Sequence, residues 1–414
     1  MYSLFIHPMS MLAQSNSYVF PNEQYDLRWG VLIVLYPYLT GLVAGAFILA
    51  SLVRVFKAEA IRPVYRLALL TALAFLISAP LPLLAHLGHP ERAMEIMTTP
   101  HVTSAMAIFG YVYAWYLMAI LLLEVYFDYR KDMVLRAEES GPIMRFVYTI
   151  LTLGVKDISH GAVEFDERAG RFLAIIGIPS AVLLHGYVGF IFGSLAGNPW
   201  WDSVLMPVIF ILSAIVSGIA MVFLLYMLTS WFRKTRLDMA CLNAIGRYLM
   251  FALIFDLTLE TLDIVHRMYE AGEWFDILRL LSSGYLYYTI FGVQLFLGGI
   301  VPLVGLALLQ VAKLKDVVKV RYYFGMAALI LIGVFTMRWN VVIGGQLFSK
   351  SFVGMTTYRL EMLGREGFLV FLGLFILPFV ILWVFTQLIP PWGKREEELL
   401  IPAGSAPGIG LAVE

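Results

Sequence analysis

Residues 29–54 read WGVLIVLYPYLTGLVAGAFILASLVR, 26 positions whose only charge is the terminal Arg54. An α-helix rises about 1.5 Å per residue, so about 20 apolar residues cross the roughly 30 Å hydrocarbon core of a bilayer. The apolar run is continuous rather than alternating, which favours a helix over a strand of a membrane barrel. This stretch alone predicts a transmembrane helix.

Further apolar stretches follow along the whole chain. The 414 residues are 60% hydrophobic and 14% charged, whereas soluble domains are nearer half apolar and a quarter charged. We predict an all-α polytopic membrane protein with about nine transmembrane helices. The predicted spans are roughly 29–54, 67–87, 103–127, 171–196, 203–232, 243–269, 281–312, 322–346 and 367–389. Residues 143–155 are too few to span and predict an interfacial helix.

Charge and cysteine content exclude several classes of function. The formal net charge is zero, so no basic surplus points to nucleic acid. The single cysteine, Cys241, excludes a disulfide framework and a cysteine-ligated iron–sulfur cluster within this chain. The first 28 residues lack a basic start followed by an apolar core, so no cleavable signal peptide is predicted.

The distribution of Lys and Arg predicts the orientation. The connections after spans 1, 3, 5 and 7 and the C-terminal tail hold 21 of them, and the opposite side holds 7. Basic residues accumulate on the cytoplasmic side. We therefore expect a multi-pass protein of the bacterial inner membrane, with the N-terminus periplasmic and the C-terminus cytoplasmic.

A weak internal repeat suggests how the chain is divided. Small residues recur four apart within 40–46 of span 1 and within 213–219 of span 5, which lets helices approach closely. Both spans run in the same direction, so a repeat would give two tandem four-helix bundles plus one extra C-terminal helix. The predicted segments are 1–28 (outer N-terminal segment), 29–196 (first bundle), 197–346 (second bundle), 347–389 (outer loop and ninth helix) and 390–414 (cytoplasmic tail).

Span 6 carries the densest set of ionisable residues. Asp256, Glu260 and Asp263 are spaced to share one helix face, and His266 lies near the outer end. Ionisable groups at this depth are costly and usually face a bundle interior or a wet cavity. These four residues predict a proton path. The alternative is structural pairing of the carboxylates with Arg338 or Arg247.

Span 4 contains His185, Tyr187 and Gly189 in the sequence HGYVG. The two glycines would let a flat ring approach the backbone, and neutral histidine or tyrosine can donate a hydrogen bond and a proton to a carbonyl. These are the requirements of a quinone site. Taken alone, His185 is more often a hydrogen-bonded core residue.

Other residues on the outer half support a site there. Tyr36 precedes Pro37 near the outer end of span 1, and a proline within a span often marks a cavity. His86 follows span 2 on the same side. A haem held by two of His86, His185 and His266 is an open alternative. No metal site is predicted.

Five motifs resemble the membrane subunits of the polysulfide-reductase and NrfD family, which also supplies subunits to quinone reductase complexes and alternative complex III. They cover spans 1–8 in order. The motifs are YPYLTGLVAG (36–45), LGHPER (87–92), YVG (187–189), NPWW (198–201) with LMP (205–207), and SAIVSG (213–218).

The resemblance implies two four-helix bundles and no haem or iron–sulfur cluster in this subunit. It also implies a quinone site built from the outer ends of spans 1 and 4, beside a docked iron–sulfur partner. On this chain those positions are Tyr36 and His185 or Tyr187. Some members carry histidine where this chain has Tyr36, and His185 precedes the usual tyrosine by two residues.

The expected function is therefore the quinone-reactive membrane subunit of a multi-subunit respiratory oxidoreductase. Its catalytic residues would be His185, Tyr187 and Tyr36, with His86 and Gly189 helping to bind the quinone, menaquinone being the first choice. The expected partners are a periplasmic iron–sulfur subunit and further molybdopterin-type or multihaem cytochrome subunits. The alternatives are a cation-coupled secondary transporter and a purely structural anchor.

Overall fold

The computed structural model describes residues 29–99, 101–269, 281, 284–348, 356 and 358–392. These residues are largely helical and form no β-strand. The long helices within them are α1 (Val31–Arg54), α2 (Glu59–His86), α3 (Ala105–Glu139), α4 (His160–Gly193), α5 (Met206–Arg233), α6 (Met239–Tyr269), α7 (Tyr285–Val311), α8 (Asp316–Leu347) and α9 (Phe368–Leu388).

The prediction of about nine membrane helices is confirmed. Within the described residues, eight helices are long and apolar enough to cross a membrane. The remaining long helix is α6, whose 31 residues extend about 46 Å. The buried carboxylates of α6 make this helix more polar than the other long helices. Such carboxylates are tolerated in a membrane when protein groups rather than lipid surround them. The chain is a multi-pass membrane protein.

The predicted connection between spans 3 and 4, residues 128–170, is shorter in the structure. Helix α3 continues to Glu139 and α4 begins at His160, since charged residues extend both helices beyond their apolar parts. Between them lies a short helix, Pro142–Leu151, where the sequence predicts an interfacial helix over 143–155. Its Tyr148 hydroxyl donates to the carbonyl of Leu388 at 2.8 Å. This contact holds the short helix against the end of α9.

Helices α1 and α5 cross at very short range. A Cβ built on Gly45 would lie 2.1 Å from the Ala214 carbonyl oxygen, and one on Gly218 would lie 2.4 Å from the Gly45 Cα. Only glycine permits this contact between two backbones. The small-residue motifs of spans 1 and 5 therefore pack against each other.

The helix contacts fall into two sets. Helix α1 packs on α2 and α4, and α3 packs on the same two helices. Likewise α5 packs on α6 and α8, and α7 packs on both of these. We call α1–α4 the first helix group and α5–α8 the second helix group; α9 packs mainly on α2. The predicted segment boundaries stay predictions; segment 1–28 and all of segment 390–414 beyond residue 392 lie outside the described residues.

We call the two ends of the molecule the outer end and the inner end. The outer end of the molecule carries Trp29 and Gly193, and the inner end carries Arg54 and Arg233, following the predicted orientation.

Three of the described helices contain wide π-helical turns: Trp115–Leu121 in α3, Tyr288–Ile300 in α7 and Asn340–Gly344 in α8. Such turns are rare and concentrate at functional sites.

Candidate functional site

A buried polar cluster joins the two helix groups. His185 on α4 and Arg338 on α8 are both fully buried. The Arg338 Nη2 lies 3.0 Å from His185 Nε2 and donates to Ser213 Oγ at 2.6 Å. The guanidinium also lies over the ring of Phe210, 3.9 Å from its centroid. Arg338 is thus held by α4 and α5 together.

The hydrogen bonds of His185 define its tautomer. Arginine can only donate, so His185 Nε2 is the acceptor and Nδ1 carries the hydrogen of a neutral ring. Nδ1 then donates to Thr40 Oγ1 at 3.3 Å. The Thr40 hydroxyl in turn donates to the Tyr36 carbonyl at 3.1 Å. A polar chain therefore runs from Arg338 through α4 to the backbone of α1.

Two residues of α4 that were predicted for the quinone site are held by protein contacts. Both ring nitrogens of His185 are engaged by protein groups. A Cβ on Gly189 would lie 2.7 Å from the Pro207 Cα, so this glycine allows α4 and α5 to pack closely. His185 is a candidate for positioning its neighbours rather than for direct contact.

Tyr36 and Tyr187 both contact a third aromatic ring, that of Phe109. The Tyr36 ring contacts Phe109 edge-on at 5.4 Å between centroids, and Tyr187 stacks on it at 6.4 Å. We call these three residues the aromatic cluster. Because Tyr187 is two residues after His185, the two side chains leave α4 on nearly opposite sides. The structure therefore separates His185 from Tyr187.

The aromatic cluster joins a buried interior to the lipid-facing surface. Tyr36 is 4% exposed, and its hydroxyl has no hydrogen-bond partner among the described residues. Tyr187 is half-buried and contacts Phe190, which is 45% exposed. The cluster thus extends from a buried, unpartnered hydroxyl to a partly exposed aromatic surface.

The carboxylates of α6 lie in a second polar region. Glu260 accepts a hydrogen bond from Gln294 at 3.1 Å, and Gln294 accepts one from Asn340 at 2.9 Å. Asp256 lies one turn before Glu260 and has one oxygen without a partner among the described residues. A cavity of about 10 Å³ borders both carboxylates, space for about one water.

The outer part of the predicted proton path is divided. Asp263 pairs with the buried Arg267 at 2.8 Å and accepts from Ser203 at 2.6 Å. His266 is exposed on another face of α6. An ion pair fixed by a serine favours structure over proton transfer. Asp263 and His266 therefore do not extend the polar line of Asp256 and Glu260.

Arg338 links the two regions electrostatically. It lies within Coulombic range of Asp256 and Glu260, although no ion pair within 4.0 Å joins it to a carboxylate in the described part of the chain. Arg247 is exposed and acts instead on Tyr323. Among the described residues, neither of the two predicted pairing partners forms an ion pair with these carboxylates, and Arg338 is the one within Coulombic range of Asp256 and Glu260.

His86 belongs to the outer surface rather than to the aromatic cluster. Its Nδ1 lies 3.0 Å from Glu366 Oε1, in the segment that leads into α9. The three histidines considered as haem ligands thus occupy three different environments. Among the described residues, no group of three or more His, Cys, Asp or Glu is placed to hold a metal ion.

Sequence reasoning underestimated Arg338 and missed Phe109 and Thr40. Arg338 had a signal, because it lies well inside predicted span 8, and a charge at such depth marks a function or a partner. Phe109 and Thr40 had none, since an aromatic residue and a threonine are ordinary in an apolar helix.

The comparisons with known proteins agree with this architecture. The family model for polysulphide reductase NrfD matches residues 19–350. The chain belongs to this family. It is 29% identical over 390 residues to a selenate reductase subunit of Mesobacillus selenatarsenatis, an alignment that covers 89% of this chain and 87% of that protein.

Two further relatives are more distant. A putative dimethyl sulfoxide reductase membrane subunit of Halobacterium salinarum is 28% identical over 67% of this chain and 61% of that protein. An Hdr-like menaquinol oxidoreductase integral membrane subunit of Archaeoglobus fulgidus is 24% identical over 83% of this chain and 76% of that protein. All three names describe subunits of oxidoreductases, and two of them specify a membrane subunit.

Proposed function

We propose that this protein is the quinone-binding membrane subunit of a multi-subunit respiratory oxidoreductase. Family membership and the names of its relatives support the coarser part, a membrane subunit of a reductase complex. The menaquinol oxidoreductase relative supports the choice of menaquinone. The finer part, the quinone site, rests on the geometry of the aromatic cluster.

The Tyr36 hydroxyl is the observation that carries the proposal. A buried hydroxyl without a partner costs about 1–3 kcal/mol, so the site favours a ligand that accepts a hydrogen bond. A quinone carbonyl is such an acceptor, and its ring is flat and apolar. Phe109 and Tyr187 provide aromatic faces against which this ring would stack.

The lipid-facing position of Tyr187 and Phe190 suits a substrate that lives in the bilayer. Menaquinone carries a long isoprenoid tail, which would stay among the lipid chains while the ring enters between α1, α3 and α4. The half-exposed rings of α4 would line this entrance.

His185 and Arg338 would act as positioning residues. The chain from Arg338 through His185 and Thr40 ends on the Tyr36 carbonyl, so it fixes the turn of α1 that presents the Tyr36 ring. Pro37 follows immediately and cannot donate a backbone hydrogen bond in that turn. The polar cluster therefore holds the donor in place without contacting the ligand.

A quinone takes up two electrons and two protons when it is reduced to a quinol. Asp256 and Glu260 would hold protons on the second helix group, near the positive charge of Arg338. The electrons would pass between the quinone and a periplasmic iron–sulfur subunit at the outer end. That subunit would in turn connect to molybdopterin-type or multihaem cytochrome subunits.

Titration of the purified complex with a fluorescent quinone-analogue inhibitor tests the proposal. Tyr36→Phe removes one hydroxyl and keeps the ring, and we expect it to weaken binding about tenfold, or about 1.4 kcal/mol. Tyr323→Phe is the matched control: this tyrosine is also buried, but its hydroxyl donates to Asn243 at the inner end of the second helix group. The control should bind like the wild type.

Equal affinity of the Tyr36→Phe and wild-type complexes would exclude the aromatic cluster as the site. Failure of a correctly assembled wild-type complex to bind the inhibitor would exclude quinone binding altogether. Measurement of Na⁺ or H⁺ uptake into proteoliposomes would then test the transporter alternative.

A further inference from the structure

A buried carboxyl group in the first helix group has no role in the site described above. Glu124 on α3 is 0% exposed, and neither of its oxygens has a hydrogen-bond partner among the described residues. The hydroxyls of Tyr116 and Tyr129 on the same helix are also buried and unpartnered. Four buried oxygens without partners on one helix are unusual, since native proteins satisfy most such atoms.

A large polar cavity opens at the inner end, close to Glu124. It measures about 1250 Å³ and lies between α1, α2, α3, α4 and α5. Arg54, Tyr65, Arg66 and Asp128 are among its lining residues. Asp128 is four residues after Glu124, so the two carboxyl groups are one helical turn apart, about 6 Å along the axis. Glu124 is thus one turn deeper in the membrane than the cavity wall.

The two carboxyl groups have opposite surroundings. Asp128 pairs with Arg54 at 2.6 Å and with Arg66 at 3.0 Å, and accepts from the Tyr65 hydroxyl at 3.0 Å. Glu124 receives none of these bonds. An ionised carboxylate in an apolar interior without hydrogen bonds is too costly to persist, so Glu124 takes up a proton. The polar cavity beyond Asp128 is the nearest source of that proton.

The titratable and charged groups within electrostatic range of Glu124 come from three helices of the first group. They are Arg54 on α1, Tyr65 on α2, and Tyr116 and Asp128 on α3. Arg66 and Tyr129 are in cation–π contact at 4.6 Å. Arg54 and Arg66 at the cavity wall are therefore already bound to Asp128, to Asp132 or to an aromatic ring.

We infer that Glu124 is a proton-exchange site that connects the inner cavity to the interior of the first helix group. One proton enters from water in the cavity, passes the Arg54–Asp128 pair and binds the Glu124 carboxyl. It leaves towards the buried Tyr116 hydroxyl, which lies within electrostatic range of Glu124 and belongs to the π-helical turn Trp115–Leu121. The role of this route as a source of protons for the quinone rests on the proposed function. The exchange of a proton at Glu124 does not depend on that function.

Infrared difference spectroscopy of the complete complex in lipid tests this inference directly. A protonated carboxyl absorbs apart from carboxylates and amides, and its band shifts when deuterium replaces the proton. We expect a carboxyl band that is present in the wild type, absent from Glu124→Gln and shifted within minutes of exchange into D₂O. Glu139→Gln is the matched control, since Glu139 is exposed at the end of the same helix, and it should keep the band.

A wild-type complex without this band, or with a band that does not shift over hours in D₂O, would overturn the inference. If the Gln variant does not assemble, Glu124→Asp keeps an acid and should show a displaced band that still exchanges. The readout needs no quinone, so an exchanging band in a complex that fails to bind quinone would refute the proposed function alone.

Proton uptake during turnover tests the route as a source of protons for the quinone. In proteoliposomes, Glu124→Gln should slow proton uptake from the inner side during quinone reduction at least about fivefold, while Glu139→Gln stays within about twofold of the wild type. Unchanged uptake in Glu124→Gln would overturn the route as a source of protons for the quinone.

Discussion

Two buried carboxyl groups, Asp263 in the second helix group and Glu124 in the first, have opposite surroundings. In the second group, Asp263 is bound by Arg267 and Ser203, and Glu260 by Gln294. In the first group, Glu124 is bound by nothing among the described residues. A paired charge contributes to structure, and removing its partner leaves an uncompensated charge. An unpaired acid contributes little to the fold, and it is free to exchange a proton.

The same contrast holds for hydrogen-bonding side chains near the outer end. His185 and Arg338 are locked by several partners, whereas the Tyr36 hydroxyl has none among the described residues. Residues held by several hydrogen bonds are expected to hold the molecule together, and those with none among the described residues are expected to carry the chemistry. Substitutions at the two kinds of position should therefore affect stability and activity differently.

The largest loss of stability is expected for Arg338→Gln. It removes the contacts to His185 and Ser213 and leaves Asp256 and Glu260 without a nearby positive charge. Each hydrogen bond to a charged group contributes about 1.5–3 kcal/mol, so the loss of both predicts about 3–6 kcal/mol. Thermal unfolding of the purified chain in detergent can be followed by labelling of the single buried cysteine, Cys241. Arg247→Gln, on an exposed face of α6, is the control and should unfold near the wild-type temperature.

Asp263→Asn should destabilise the second helix group by about 1.5–3 kcal/mol, the range for hydrogen bonds to charged groups. The substitution takes a carboxylate away from the buried Arg267, which also donates to the carbonyls of Pro199 and Trp200. A double-mutant cycle with Arg267→Gln separates the pair from the single residues. Purely additive effects in this cycle would show that the ion pair contributes nothing.

Gly45→Ala tests the interface between the two groups. The new methyl would lie 2.1 Å from the Ala214 carbonyl oxygen, so α1 and α5 must move apart. Overpacking of this kind costs about 1–3 kcal/mol. Gly325→Ala on α8 is the matched control, since nothing lies within 4 Å of its Cβ position. Equal unfolding temperatures for the two variants would contradict the close crossing of α1 and α5.

Glu124→Gln is expected to have the smallest effect on stability, within about 1 kcal/mol, because no hydrogen bond to a described protein group is lost. The same Cys241 labelling experiment measures it beside Asp263→Asn. A loss as large as that of Asp263→Asn would mean that Glu124 has a structural partner, and the contrast between the two groups would fail.

Most of the fold was predictable because lipid imposes simple rules on a sequence. Apolar length located the helices, and small residues four apart located the crossing of Gly45 and Gly218. The ends of α3 and α4 were not predictable, because charged helical turns beyond the bilayer do not interrupt a helix and leave no signal in hydropathy.

The site was harder to predict, because side-chain contacts between helices depend on rotation about each helix axis. Spacing placed Asp256, Glu260 and Asp263 on one face correctly, but it could not show that Arg267 rather than His266 continues that face as a partner. Glu124 lies inside the predicted span 103–127 and had the signal of any intramembrane carboxyl. The different contacts of His185 and Tyr187 could not be predicted, because they depend on the positions of the neighbouring helices.

Photoaffinity labelling with a light-activated menaquinone analogue tests the central claim most directly. The complex is labelled in membranes, digested, and the modified peptides are mapped by mass spectrometry. Our account predicts labels on the outer halves of α1, α3 and α4, around Tyr36, Phe109 and Tyr187, and their loss when unlabelled quinone is added in excess. Labels confined to α6 and α7, around Glu260 and Gln294, would contradict it and move the quinone to the second helix group.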